Sequence, residues 1–324
     1  MRNSTLGPFD RVSRLTLGGG GLGQGWGASS EDEAVATVHE AVASGVNLID
    51  TAPMYGSCEA VIAAAFNGAL PDGVRITTKC QLGEPPEGTV AAKLEESLDA
   101  SLEAMRLDAV DVYFLHSNIC EDDTVYAHRN DQRAQFATPW SQYIREVVPA
   151  FEDMKQRGRI GAWGITGIGL PGTIIRALGH DGKPDVVQAI ANLLDSPGGI
   201  RRFAEAPRPR EIIATAHAHW VGVMGIRAVQ AGALTAQFDR DVKATHPEAA
   251  DYERAAPFRA LCAELGVDPA ILAHRYALDI EGVDTVVLGV KNRSELAECI
   301  EAEALGNLPG ELRARIDGLG LAVG

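Results

Sequence analysis

Four polar residues of complementary acid–base type, Asp50, Tyr55, Lys79 and His116, stand at or just past the ends of short apolar runs. The run Val46-Asn47-Leu48-Ile49 delivers Asp50, and Tyr55 follows beyond Pro53 and ahead of Gly56. Pro53 and Gly56 mark a loop that can fold the phenol back over the end of that run. Val74 to Thr78 leads to Lys79, and Val110 to Leu115 leads to His116. A carboxylate, a phenol, an ammonium and an imidazole in one place form a proton-transfer set. A phenol with a reference pKa near 10 exchanges protons poorly at neutral pH. A neighbouring ammonium favours the phenolate and would bring that value down. Each residue alone has a plainer reading: Asp50 as a turn cap, Tyr55 as packing, Lys79 as a solvated chain, His116 as a core imidazole. Their joint arrival at successive strand ends is what points to chemistry.

The elements that must position them alternate regularly. Strand-like runs are Leu15–Leu17, Val46–Ile49, Val74–Thr78, Val110–Leu115, Ile160–Ile165, Val186–Gln188, Val221–Met224 and Thr285–Leu288, with helical segments between them. Ser30-Glu31-Asp32-Glu33 reads as a reciprocal capping box that opens a helix carrying Ala34, Val35, Val38, Ala41 and Val42 on one face. Helices are also expected from Val90 to Met105 and from Ile144 to Lys155. This alternation predicts an α/β fold, a closed (β/α)8 TIM barrel, as a single domain over residues 1–324. Such barrels place their chemistry at the C-terminal strand ends, where all four residues fall. Long loops at about 117–140 and 237–250 leave that same face. The first offers Tyr126, His128, Phe136 and Trp140 to a pocket, against the plainer reading of a solvated loop. Gly18 to Gly23 formally contains G-x-G-x-x-G, but the first helix is expected only near Ser30, which argues against a dinucleotide-binding turn. The glycines read instead as a first strand whose end a ligand can approach.

In residue type, order and separation, Asp50, Tyr55, Lys79 and His116 resemble the motif of the aldo-keto reductases, and the resemblance spans almost the whole chain. It implies interconversion of a carbonyl compound (aldehyde, ketone or sugar) and an alcohol by hydride transfer. Carbonyl reduction places negative charge on oxygen, so a proton donor must stand there. The resemblance implies Tyr55 as general acid/base, Lys79 and Asp50 as its tuning pair, and His116 orienting the carbonyl.

Hydride chemistry needs a cofactor, because no side chain donates hydride. The resemblance implies NADP(H) as the default and NAD(H) as the alternative. It places Gln188 against the nicotinamide carboxamide. Thr166 and Gly167 stand where the family has Ser-Asn, and Ile226 and Arg227 where it has a stacking Tyr and a Ser. Ile226 would pack on the ring, and Arg227 would either meet the diphosphate or form a salt bridge. Gly289, Lys291, Arg293, Glu295 and Glu298 match the segment that holds the adenosine end. Glu295 would repel a 2′-phosphate and suit free ribose hydroxyls, while Lys291 and Arg293 would attract it.

A net charge of −15 argues against nucleic acid or an anionic membrane as partner. No apolar run approaches membrane-span length and the N-terminus lacks an apolar core, so a cytoplasmic protein is expected. Five scattered cysteines without C-x-x-C predict reduced thiols, and Cys80 reads as packing rather than nucleophile. His217 and His219 resemble a metal pair but lie before a strand with no third ligand in view, so no metal is expected. The substrate class is a small-molecule carbonyl or alcohol; its identity and the oligomeric state are not legible. Within enzymes the first alternative is an NAD-linked sugar or alcohol dehydrogenase; two readings of other classes are a nicotinamide-binding regulatory subunit and a metal-dependent barrel hydrolase resting only on the histidine pair.

Overall fold

In the computed structural model, which describes every residue except 26, 28, 239, 323 and 324, eight parallel strands close into a barrel. A hairpin of β1 (Asn3–Leu6) and β2 (Phe9–Ser13) precedes it. The barrel strands are β3 (Leu15–Gly18), β4 (Leu48–Asp50), β5 (Arg75–Cys80) and β6 (Val110–Leu115), then β9 (Ile160–Thr166), β10 (Val186–Ile190), β11 (Gly222–Ile226) and β12 (Thr285–Leu288). All eight expected strands are present. β6 pairs directly with β9 because the two intervening strands, β7 (Asn118–Cys120) and β8 (Ala137–Pro139), pair with each other outside the barrel.

Strand alternation decides what lines the barrel. Leu48, Val112, Phe114, Ala162, Val186 and Met224 meet inside it, and Leu6 and Val12 of the hairpin join them. Two residues further along the same strand faces come Asp50, His116, Gln188 and Ile226. The interior face therefore changes from apolar packing to polar chemistry at the C-terminal strand ends. The opposite faces pack on the helices: Ile76, Cys80, Tyr113, Trp163 and Val187 join the outer core with Val38, Leu94, Leu98 and Phe151. Cys80 is thus a packing residue, and burial raises its thiol pKa.

Several local expectations change. A single helical turn, Gly19–Leu22, forms within the glycine-rich stretch, ahead of the helix Glu31–Ala43. It is closed by Gly23 N–H donating to the Gly19 carbonyl at 2.9 Å, and it leads into a barrel rather than a βαβ nucleotide fold. The capping box is half formed. Ser30 Oγ accepts the Glu33 amide at 3.1 Å, but the Glu33 carboxylate turns away to Arg293. Val90–Met105 is helical as expected. The expected Ile144–Lys155 helix runs instead from Trp140 to Gln156, with a π segment at Tyr143–Val147.

The 117–140 loop carries β7, β8 and two short helical turns. Within it Tyr126 is buried on Phe203 and donates to Asn118 Oδ1 at 3.2 Å, while His128 is exposed. Trp140 packs against Tyr143 with Arg176 above its ring. The 237–250 stretch ends in the helix Pro247–Arg254, and its Asp239 lies outside the described residues. No helix among the described residues is long and apolar enough to cross a membrane.

Candidate active site

β4 and β5 lie side by side with Asp50 paired to Thr77, so the side chain of Lys79 reaches the carboxylate end of its neighbour. Lys79 Nζ donates to both Asp50 oxygens, at 2.8 and 2.7 Å, and to the Thr51 carbonyl at 2.8 Å. The pair is sealed, with Lys79 at 0% and Asp50 at 3% side-chain exposure, so solvent does not screen it. Thr77 Oγ1 and Gln188 Nε2 also donate to Asp50 Oδ1, at 2.6 and 2.7 Å. The buried Asp50 side chain thus accepts from Lys79, Thr77 and Gln188. Thr77 is a site residue the sequence reading missed, although alternation on β5 places it on the same face as Lys79.

The loop 51–56 brings Tyr55 back over this pair. Its ring centroid lies 4.5 Å from Lys79 Nζ and 5.8 Å from the His116 ring, which meets it edge-on. Burial opposes the Lys79 ammonium, but Asp50 and Tyr55 together outweigh that cost and raise its pKa. For Tyr55 the balance is reversed. Burial pushes the phenol above its ordinary value of 10.0, and the Lys79 charge recovers only part of that. The expectation that Lys79 would bring Tyr55 below its ordinary value is therefore corrected: desolvation of the phenolate is the larger effect. Tyr55 rests as a neutral phenol. Burial, and then the Lys79 charge, depress the His116 pKa from 6.5 to about 3, so the imidazole is neutral at physiological pH. A neutral ring donates one hydrogen bond and repels no cation.

The other sequence-derived positions ring this centre. Thr166 ends β9 in register with Gln188 on β10, and its hydroxyl reaches back to the Leu115 and His116 carbonyls at 3.4 Å. Gln188 meets Asp50 as described, which places its amide beside the Lys79 pair. Ile226 ends β11, half-buried. Arg227 follows in the left-handed region, φ 62°, rare for a residue with a Cβ. It forms a buried ion pair with Glu248 at 2.6 Å and donates to Gln230 Oε1 at 2.9 Å. Arg240 and His246 also contact Glu248, at 3.1 and 2.8 Å.

Past β12, Gly289 and Glu298 are exposed. Lys291 pairs with Glu295 at 3.2 Å, and Arg293 pairs with Glu33 at 2.9 Å. A small cleft beside Thr166 is lined by Gly167, Ile168, Ile190, Arg201, Phe203 and Arg208. Its arginines carry no periodic or motif signal that sequence could have offered. His217 lies in the last turn of the helix Pro209–Ala218 and His219 caps it, at the end of the barrel away from Tyr55. No cluster with metal-ligand grouping occurs among the described residues.

A buried ion pair, a neutral phenol above it and a neutral imidazole beside it meet at the mouth of a closed parallel barrel. The chain belongs to the Aldo/keto reductase family, whose model matches residues 14–320, and is accordingly an NAD(P)-dependent oxidoreductase. It is 28% identical over 319 residues to an Arabidopsis thaliana L-galactose dehydrogenase, covering 91% of this chain and 87% of that one. It is 27% identical over 215 residues to an NADH-specific methylglyoxal reductase of Escherichia coli (strain K12), 60% of each chain. An aldo-keto reductase of Bacillus halodurans, solved in its holo form, superposes with a TM-score of 0.73 at 22% identity, covering 98% of this chain and 96% of that one. That last likeness concerns the fold.

The donor set fits a nicotinamide and a carbonyl. His116 Nδ1 is buried without a hydrogen-bond partner, and the Gln188 amide stands at the same strand ends. Neutral acceptors and donors of this kind suit an uncharged carboxamide and a carbonyl oxygen.

Proposed function

We propose that this protein interconverts a small carbonyl compound (an aldehyde, ketone or sugar) and its alcohol, with Tyr55 as general acid/base. The observation that carries the reading is the sealed Lys79–Asp50 pair 4.5 Å beneath the Tyr55 ring. A nicotinamide, when bound, would supply or accept the hydride. Tyr55, neutral at rest, gives its proton to the developing alkoxide, and Lys79 stabilises the phenolate left behind. Asp50 fixes Lys79 in place, and Thr77 and Gln188 fix Asp50. The neutral His116 holds the carbonyl oxygen towards Tyr55.

Thr166, Gln188 and Ile226 hold the nicotinamide end, with Ile226 packing on the ring by dispersion. Arg227 would hold the diphosphate from beside its ion pair with Glu248. Gly289, Lys291, Arg293, Glu295 and Glu298 hold the adenosine end.

A second reading within the same chemistry is oxidation of a sugar by an NAD-linked dehydrogenase. The likeness to a protein named L-galactose dehydrogenase over most of both chains favours it. The test is a panel of aldehydes, ketones, aldoses and polyols assayed in both directions with NADH, NADPH and their oxidised forms. Turnover that depends on a nicotinamide supports the proposal, and the direction with the larger kcat/KM chooses between the readings. Absence of nicotinamide-dependent turnover across the panel overturns it.

A further inference from the structure

The assignment of residues 289–298 to the adenosine end makes the charge there decisive, and the inference below rests on that assignment. Lys291 and Arg293 are the cations of this segment. Arg293 is held on three sides by one carboxylate. Its backbone N–H and Nε donate to Glu33 Oε1 at 3.0 and 3.2 Å, and Nη2 donates to Glu33 Oε2 at 2.9 Å. Lys291 is held in the same way by Glu295, through its backbone N–H at 2.8 Å and Nζ at 3.2 Å. Glu298 stands exposed on the same helix. Each of the two cations is therefore already paired with a carboxylate, and Glu40 adds negative charge beside Arg293.

Glu33 is placed for this task by its own helix. Ser30 caps that helix and receives the Glu33 amide, yet the Glu33 side chain leaves the capping box and crosses to the helix Arg293–Ala304. Exposed ion pairs are individually weak, so a phosphate can break them. The discrimination comes afterwards. Glu33 and Glu295 are anchored on first helical turns, and each remains beside an incoming 2′-phosphate as a repelling charge. A free 2′-hydroxyl displaces nothing and can donate to either carboxylate, the arrangement that acidic residues provide in NAD sites.

We propose that Glu33, together with Glu295, makes this site select NAD(H) over NADP(H), against the NADP(H) default that the family resemblance implies. The experiment is titration of the purified protein with NADH and with NADPH by quenching of tryptophan fluorescence, at low and physiological salt, for the wild type, Glu33→Gln and Arg293→Ala. The expected result is an NADH Kd at least about tenfold below that of NADPH at low salt. Glu33→Gln should move the NADPH/NADH ratio by at least about fivefold towards NADPH. Two outcomes overturn the proposal while keeping the adenosine site: NADPH binding as tightly as NADH, or a ratio unchanged in Glu33→Gln while Arg293→Ala alters affinity. Binding that none of the variants alters, or no binding of either dinucleotide, overturns the site assignment and the selectivity with it.

Discussion

Gly23 brings its backbone so close to the carbonyl of Tyr55 that a methyl group at Gly23 would overlap that oxygen. The glycine-rich stretch after β3 is thus shaped by the loop that carries the phenol. Gly18 and Gly21 make comparable approaches to the Leu288 and Val290 carbonyls, so the close neighbour at each is the protein's own backbone. Gly23→Ala should push the 51–56 loop outward and lift Tyr55 from Lys79. Misplacement on the ångström scale can cost about 10²-fold in rate. We expect kcat to fall by at least about tenfold, and a kcat equal to wild type would show that the contact does not position Tyr55.

Tyr55→Phe removes the proton donor and keeps the ring over Lys79. Turnover should drop by at least about 10²-fold, the scale of general acid catalysis. Cofactor affinity, read by fluorescence titration, should stay near wild type. Unchanged turnover would remove Tyr55 from the chemistry.

Lys79→Met leaves the Asp50 carboxylate buried without its ammonium, and breaking a buried pair from one side costs about 3–5 kcal/mol. The double variant Lys79→Met/Asp50→Asn removes both charges and should recover much of that loss in urea unfolding. Its turnover should remain low, because nothing then stabilises the Tyr55 phenolate. Recovery of activity along with stability would reduce the pair to a structural role.

His116 gives a pH signature whose sign follows from its depressed pKa. The unfolded chain takes up the proton below 6.5, whereas the folded protein resists until about 3. Between these values the unfolded state binds more protons, so stability falls as pH falls through that window. His116→Phe should flatten the slope of urea-derived stability between pH 6 and 4, roughly the upper part of that window. The reductive kcat/KM of the wild type should show no break near the ordinary histidine value. A break there that disappears in the variant would mean that the imidazole titrates in the working range.

The raised Tyr55 phenol sets a second pH signature. Reduction consumes the protonated form and should hold a plateau through neutral pH, while alcohol oxidation needs the phenolate and should climb with pH up to the shifted value. Initial rates in both directions across neutral to alkaline pH would test this. An oxidative rate that levels off near neutrality would place the Tyr55 pKa below its ordinary range in the working complex.

The strands, the order of the helices and the strand-end positions of Asp50, Tyr55, Lys79 and His116 were legible in the sequence. Apolar periodicity is a property of neighbours along the chain, and alternation on a strand fixes which residues share the barrel interior. Tertiary structure decided the balances. Tyr55 is raised rather than lowered because the depth of its burial depends on how the 51–56 loop packs over the barrel mouth. Glu33 abandons its capping box for Arg293, 260 residues away, and Gln188 reaches Asp50 across 138 residues. Arg227 ends in a buried pair with Glu248 because the helix Pro247–Arg254 presents that carboxylate just past the end of β11. The cost of burying a charge and the attraction between charges both vary steeply with depth and distance, and closure of the barrel sets both, bringing together residues that no local pattern connects.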